Sequence, residues 1–247
     1  MAAWRTVEGK VHSWDISTGV DGPGTRFVVF TAGCPLRCLY CHNPETWRLR
    51  DGVPASAGEL IDRAAPFRRF IEVSGGGFTV SGGEPLLQPA LTRALLTGAR
   101  ELGLRTALDT SGFLGARADE ALLDATDLVL LDIKAWQPQT YRALTSAALT
   151  PTLTFARRLA AARKPVWIRF VVVPGWTDDA AQVDGIAEFA ASLGNVERVD
   201  VLPFHRLGAP KYARLGLRFP LAEVAPPPAE VVDRVRRQFE AAGLVAV

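Results

Sequence analysis

The chain has 247 residues, 48% of them hydrophobic, and 28 basic against 26 acidic residues leave a formal net charge of only +2. That length suits one large α/β domain or two small ones, and the near balance of charge argues against nucleic acid or an anionic membrane as the main partner, leaving small molecules and proteins. The longest apolar stretches, Phe27 to Ala32 and Trp167 to Val173, are far too short to cross a bilayer, and with no signal-peptide pattern the expected location is the cytoplasm.

Along the chain, short β-branched runs alternate with longer amphipathic stretches, the pattern of βα units around a parallel sheet. Ser17 to Gly24 reads as a loop, Arg26 to Ala32 as a strand and Ser56 to Phe70 as a helix. Gly75-Gly76-Gly77 reads as a loop leading into a strand at Phe78 to Ser81, then a helix at Gln88 to Leu102. Strands at Arg105 to Asp109 and Leu128 to Asp132 bracket a helix at Asp119 to Ala125. A helix at Pro151 to Arg163, a strand at Val166 to Val173, a helix at Asp178 to Leu193 and a strand at Arg198 to Pro203 follow. Pro226-Pro227-Pro228 reads as an extended lead into a last helix at Ala229 to Ala242. Neither a low-complexity linker nor a repeat divides the chain, so residues 1–247 are expected to form a single domain.

Unusual polar residues gather where strands end. Cys34 follows the first strand, Ser81-Gly82-Gly83-Glu84 ends the second, Asp109-Thr110 ends the third, Asp132 and Lys134 end the fourth, and His205 follows the sixth. In parallel α/β architectures the carboxyl ends of strands converge on one ligand-binding face.

All three cysteines fall in Cys34-x3-Cys38-x2-Cys41, too close together for a disulfide framework. Soft sulfur ligands at such spacing select zinc, copper(I) or an iron–sulfur cluster. A fully ligated electron-transfer cluster takes four cysteines, so three leave one iron able to bind something else. The alternative is a structural zinc site with a distant fourth ligand, since His42 directly follows Cys41 and cannot easily reach the same metal. Tyr40, between two of the cysteines, offers a ring to flank a planar group.

The other candidates each have a plainer reading. Gly82 and Gly83 let backbone approach a ligand, or form a tight turn. Asp109 and Asp132 offer hard oxygens to a cation, or cap helices. Lys134 offers a point charge to a carboxylate, or is solvated surface, and His205 on its own reads as a structural histidine.

With these residues in view, the chain resembles the radical SAM superfamily, whose mark is CxxxCxxC in a partial (βα)6 barrel, and within it the branch that activates glycyl radical enzymes. VDGPGTRFVVFTAGCPLRCLYCHNPETW, SGGGFTVSGGEPLL, LDTSGF, TDLVLLDIK, VWIRFVVVPGWTDD and VLPFHRLG all resemble that branch, in order and over nearly the whole chain. The resemblance implies an α/β fold with a parallel sheet and outer helices. It implies an oxidoreductase that reductively cleaves S-adenosyl-L-methionine on a [4Fe-4S] cluster and takes hydrogen from a glycine of a partner, pyruvate formate-lyase.

Residue by residue, the resemblance makes Cys34, Cys38 and Cys41 the cluster ligands. It brings Tyr40, Cys41 and His42 to the adenine side of the cofactor, and Gly82, Gly83 and Glu84 to its amino group. Asp132, Ile133, Lys134 and His205 match the remaining cofactor contacts. Asp109, Thr110, Asp132 and the carbonyl of Leu130 match a monovalent-cation site, for Na+ or K+. Asp21 and Arg169 match positions that grip the substrate's glycine loop, although an arginine on a strand also pairs with interior acids. A flavodoxin or ferredoxin is implied as electron donor. Leu49 to Gly77 lacks the cysteine-rich insertion of branches acting on other glycyl radical enzymes, which favours pyruvate formate-lyase as partner.

Overall fold

A computed structural model describes residues 2–247. The chain divides into two packed units, the first running from the start of the described chain to Pro35 and including Glu45–Thr110 and Leu114–Leu130. Leu36–Pro44, Ser111–Phe113 and Leu131–Val247 make the second.

The first unit contains β1 (Glu8–Thr18), β2 (Thr25–Thr31), β3 (Val53–Ser56), α1 (Ala57–Ala64), α2 (Arg68–Val73), β4 (Gly77–Gly82), α3 (Pro89–Glu101), β5 (Arg105–Thr110) and α4 (Glu120–Asp124). β6 (Leu128–Asp132) gives its first three residues to this unit and its last two to the second. The second unit continues with α5 (Pro138–Thr145), α6 (Thr150–Ala161), β7 (Val166–Val172), α7 (Ala180–Leu193), β8 (Val196–Pro203), α8 (Ala209–Arg214) and α9 (Ala229–Ala241).

In the first unit the strand order is β3-β1-β2-β4-β5-β6. β2, β4 and β5 run parallel, with Phe27 opposite Phe78 and Phe78 opposite Thr106. A parallel strand covered on both faces reads as a nearly continuous apolar run; β2 fits, since every residue of it except Phe30 is buried. Phe27 stacks between Trp14 and Phe78 at centroid distances of 5.0 and 5.6 Å. In the second unit β7 and β8 pair in parallel, and α9 packs against both β8 and α7.

The expected βα elements are present, with three corrections. First, Ser17 and Thr18 are not loop but the end of β1, an antiparallel partner of both β2 and β3. β1 and β3 carry no β-branched run, and polar residues such as Lys10, His12 and Asp15 disguise a strand held by its neighbours' hydrogen bonds rather than by propensity. Second, the helix expected over Ser56 to Phe70 is broken: Pro66 lacks the N–H an α-helix needs, and a tight 3-10 turn over Ala65–Phe67 separates α1 from α2. Third, α5 and α8, each of eight residues or fewer, were not evident from periodicity.

Helix starts follow local chemistry. Ser56 and Glu59 form a reciprocal capping box on α1, with the Ser56 hydroxyl accepting from the Glu59 N–H and the Glu59 carboxylate accepting from the Ser56 N–H. Asp119 caps α4 and Asp179 caps α7 through side-chain oxygens that accept from the third residue on. Among the described residues no helix is long and apolar enough to cross a membrane.

Candidate functional site

In the first unit, the C-terminal ends of β2 and β4 are tied together through backbone. The Gly33 N–H donates to Thr46 O at 2.6 Å and the Cys34 N–H to Trp47 O at 3.1 Å, fixing the turn that carries the first cysteine. Past the end of β4, the Gly83 N–H donates to Thr31 O and the Glu84 N–H to Gly33 O, both at 2.9 Å.

This close approach is why both positions are glycine. Gly82 has φ of +118°, and a Cβ there would stand 2.2 Å from Thr31 N; at Gly83 it would stand 2.4 Å from Gly33 O. The glycines are therefore required by backbone packing beside Cys34, independently of any ligand.

Side chains complete this cluster. Glu84 is fully buried, and its Oε1 accepts from the Thr110 hydroxyl at 2.6 Å and from the Leu86 N–H at 3.1 Å. Ser81 donates to Asp109 Oδ2 at 2.6 Å. Cys34, Gly82, Gly83, Glu84, Asp109 and Thr110 are thus brought together, while Leu130 lies buried within β6. Ser81, placed by the sequence at this strand end without a role, is the group that orients Asp109.

Asp21 stands elsewhere. Its turn leads into β2, whereas Cys34 follows the opposite end of that strand. The Asp21 carbonyl accepts from Thr79 Oγ1 at 2.8 Å. Arg26, only 1% exposed, holds the same turn: it donates to Thr79 Oγ1, to Pro23 O and, across the strands, to Phe78 O and Arg105 O. Burial pulls the Arg26 pKa down to about 10, against the opposing pull of Asp21 and Asp127. Sequence reasoning missed this arginine too, which sits in the quoted VDGPGTR motif.

In the second unit, the loop Leu36–Pro44 is pinned to the end of α5, with the Arg37 N–H donating to Thr145 O at 2.8 Å and the Leu39 N–H to Leu144 O at 2.9 Å. The Cys41 N–H closes a turn onto Cys38 O at 3.1 Å. Cys38 is buried, and burial pushes its thiol up to about 12, with nearby Lys134 pulling the other way. Lys134 Nζ lies 3.1 Å from Asp132 Oδ2 and 5.7 Å from the centre of the Tyr40 ring. Burial opposes the Lys134 charge, but Asp132, followed by Tyr40 and Cys38, holds its pKa well above the usual value.

Lys134, expected to offer its charge to a ligand's carboxylate, already pairs with Asp132 inside the chain. Tyr40, expected to flank a planar group, lies against Lys134, and its buried hydroxyl has no hydrogen-bond partner among the described residues. The His42 ring stands edge-on to His205 at 5.0 Å and 84°. The Ile133 N–H donates to Arg169 O at 3.2 Å, which brings those two backbones together.

These donors suit an iron–sulfur cluster. The three sulfurs are soft ligands, none is in a disulfide, and a lysine beside the most buried one offsets part of what burial costs its thiolate. Among the described residues no three His, Cys, Asp or Glu side chains converge as ligands of a single ion; thiolates at the corners of a cluster bind separate irons and need no such point.

Comparison with known proteins adds to this geometry. The radical SAM superfamily matches residues 28–185. The pyruvate formate-lyase 1-activating enzyme of Escherichia coli strain K12 is 41% identical over 241 residues, covering 96% of this chain and 98% of that one. The pyruvate formate-lyase-activating enzyme of Staphylococcus aureus strain USA300 is 41% identical over 248 residues, covering 98% and 99%. A crystal structure of a domain of a pyruvate-formate lyase-activating enzyme from Bacteroides vulgatus superposes with a TM-score of 0.58 at 26% identity, covering 70% of this chain and 98% of that one. A radical SAM methyltransferase from Sphaerobacter thermophilus superposes with a TM-score of 0.66 at 16% identity, covering 98% of this chain and 76% of that one, a likeness of fold.

Proposed function

The chain belongs to the radical SAM superfamily and, within it, to the pyruvate formate-lyase activating enzymes, and from that premise we propose that it installs the glycyl radical of pyruvate formate-lyase. The α/β fold of radical SAM type expected from the sequence holds, and with it the [4Fe-4S] cluster and S-adenosylmethionine as the cofactors of the family. When bound, cluster and cofactor supply the electron transfer and the carbon-centred radical that the reaction needs. The observation that carries the proposal is 41% identity over nearly the full length of the named activating enzymes together with an intact Cys34-x3-Cys38-x2-Cys41 loop.

The chain's own residues hold and orient. Cys34, Cys38 and Cys41 ligate three irons, and Lys134 lowers the cost of ionising the buried Cys38. Gly82, Gly83 and Glu84 present backbone to the cofactor's amino group, with Glu84 locked by Thr110 so that the strand end cannot swing. Asp132, Ile133, Lys134, Tyr40, His42 and His205 line the rest of the cofactor. The Asp132–Lys134 pair keeps both charges compensated before any ligand arrives.

Asp109, Thr110, Asp132 and the Leu130 carbonyl offer hard oxygens to a monovalent cation, Na+ or K+. Asp21 and Arg169 hold the partner's glycine loop, and a flavodoxin or ferredoxin supplies the electron. The turn bearing Asp21 is fixed from inside by Arg26, which supports a preformed grip.

The test is electron paramagnetic resonance on purified pyruvate formate-lyase mixed anaerobically with the reconstituted chain, S-adenosylmethionine and dithionite. A glycyl doublet is expected. Cofactor cleavage without a doublet would reject this partner.

A further inference from the structure

Between His205 and Ala222 the second unit carries Arg206, Lys211, Arg214 and Arg218 and not one acidic residue, in a chain whose formal net charge is only +2. Arg206, Arg214 and Arg218 are exposed. Among them stand three leucines, Leu207, Leu215 and Leu217, at 71%, 45% and 41% exposure. Single exposed leucines are ordinary, but exposed apolar side chains interspersed along one segment with charge of a single sign have the composition of an interface.

The platform beneath is firm. Phe219 stacks with Phe204 at 6.3 Å and meets Tyr212 edge-on at 5.1 Å, and all three rings are buried. α8 is thereby anchored from inside, with Arg214 at its end exposed.

The same segment lies directly on the cysteine loop. A Cβ at Gly208 would stand 3.1 Å from the Cys41 carbonyl oxygen, and Lys211 Nζ donates to Asn43 Oδ1 at 2.7 Å. A protein seated on this face reaches the backbone of Cys41, His42 and Asn43 without crossing a second layer of side chains.

We infer that the 205–218 face is the docking surface for a small acidic protein that delivers one electron. The inference rests on the function proposed above, which consumes an electron that no redox group built from the chain's own side chains supplies. In the step, the carrier loses one electron and the bound cluster gains it; no atom is transferred. Such encounters are brief, and complementary charge governs how fast they form.

The test uses the cluster-loaded chain, flavodoxin as the probe, and the double variant Arg214→Glu/Arg218→Glu beside the conservative Arg214→Lys/Arg218→Lys. Flavodoxin affinity is read by calorimetry, and reduction of the cluster by stopped-flow absorbance with either reduced flavodoxin or dithionite. Charge reversal is expected to weaken flavodoxin binding and slow its electron transfer roughly tenfold or more at low salt, as for other electrostatically steered pairs. The deficit should shrink as salt rises, the lysine variant should behave as the parent, and reduction by dithionite should be unchanged. Unaltered flavodoxin affinity and rate would overturn the inference, as would a loss of affinity confined to pyruvate formate-lyase. A parent protein whose metal centre accepts no electron from dithionite would instead overturn the radical SAM assignment beneath it.

Discussion

Single residues in this protein are constrained by contacts that sequence pattern alone does not reveal. Gly82 is an example: read from the sequence it offers either ligand approach or a turn, and the structure shows the end of β4 running against Thr31 backbone. Gly82→Ala forces a Cβ into that backbone and should cost on the order of 3 kcal/mol in urea denaturation. Gly175→Ala is the control, because φ is +75° but nothing lies within 4 Å, so it should cost only about 1 kcal/mol. Equal losses at the two positions would show that close packing is not what holds Gly82.

Asp132 and Lys134 make a second case at this scale. With side chains only 22% and 12% exposed, the pair compensates two nearly buried charges. Asp132→Asn leaves Lys134 without its carboxylate and should destabilise the cluster-free protein by about 3 kcal/mol. Cofactor affinity of the loaded protein should fall as well, while iron content is spared. Unchanged stability in thermal denaturation would mean the pair is too well solvated to matter.

Secondary elements form where local chemistry agrees with the surrounding packing. The helix read over Ser56 to Phe70 began correctly because Ser56 and Glu59 form a capping box, and ended wrongly because Pro66 divides it. Ser56→Ala removes the cap and should lower stability by about 1 kcal/mol.

The Glu59 carboxyl is held below its usual value of 4.5 by hydrogen bonds from the Ser56 backbone N–H and hydroxyl. A depressed folded-state pKa means the contribution is present above the unfolded-state value and is lost as pH falls through the lower folded value. Wild type should therefore lose more stability on acidification than Glu59→Gln, measured by urea titrations from neutral pH to about pH 3. Parallel pH profiles would show the box carries no linked proton.

For the molecule as a whole, the buried parallel strands were legible because continuous apolar runs such as Phe27 to Phe30 have few other uses. β1 and β3 were not, since their pairing is dictated by neighbours and their own residues are mixed. Much of the candidate site was also legible: Cys34, Gly83, Glu84 and Thr110 do come together, and so do Cys38, Tyr40, Asp132 and Lys134. What could not be read were the contacts that fix them, Ser81 on Asp109 and Arg26 on the Asp21 turn, because those contacts link residues 28 or more positions apart or depend on burial.

The proposed function requires three thiolates to share one cluster and leave an iron for the cofactor. Iron and sulfide analysis after anaerobic reconstitution, on the parent chain and on Cys34→Ala, Cys38→Ala and Cys41→Ala, measures this directly. The parent should hold about four irons and four sulfides, and each variant should lose the cluster and cleavage of S-adenosylmethionine together. A parent that binds one zinc and no iron, or a variant that keeps its cluster and its cleavage activity, would contradict it.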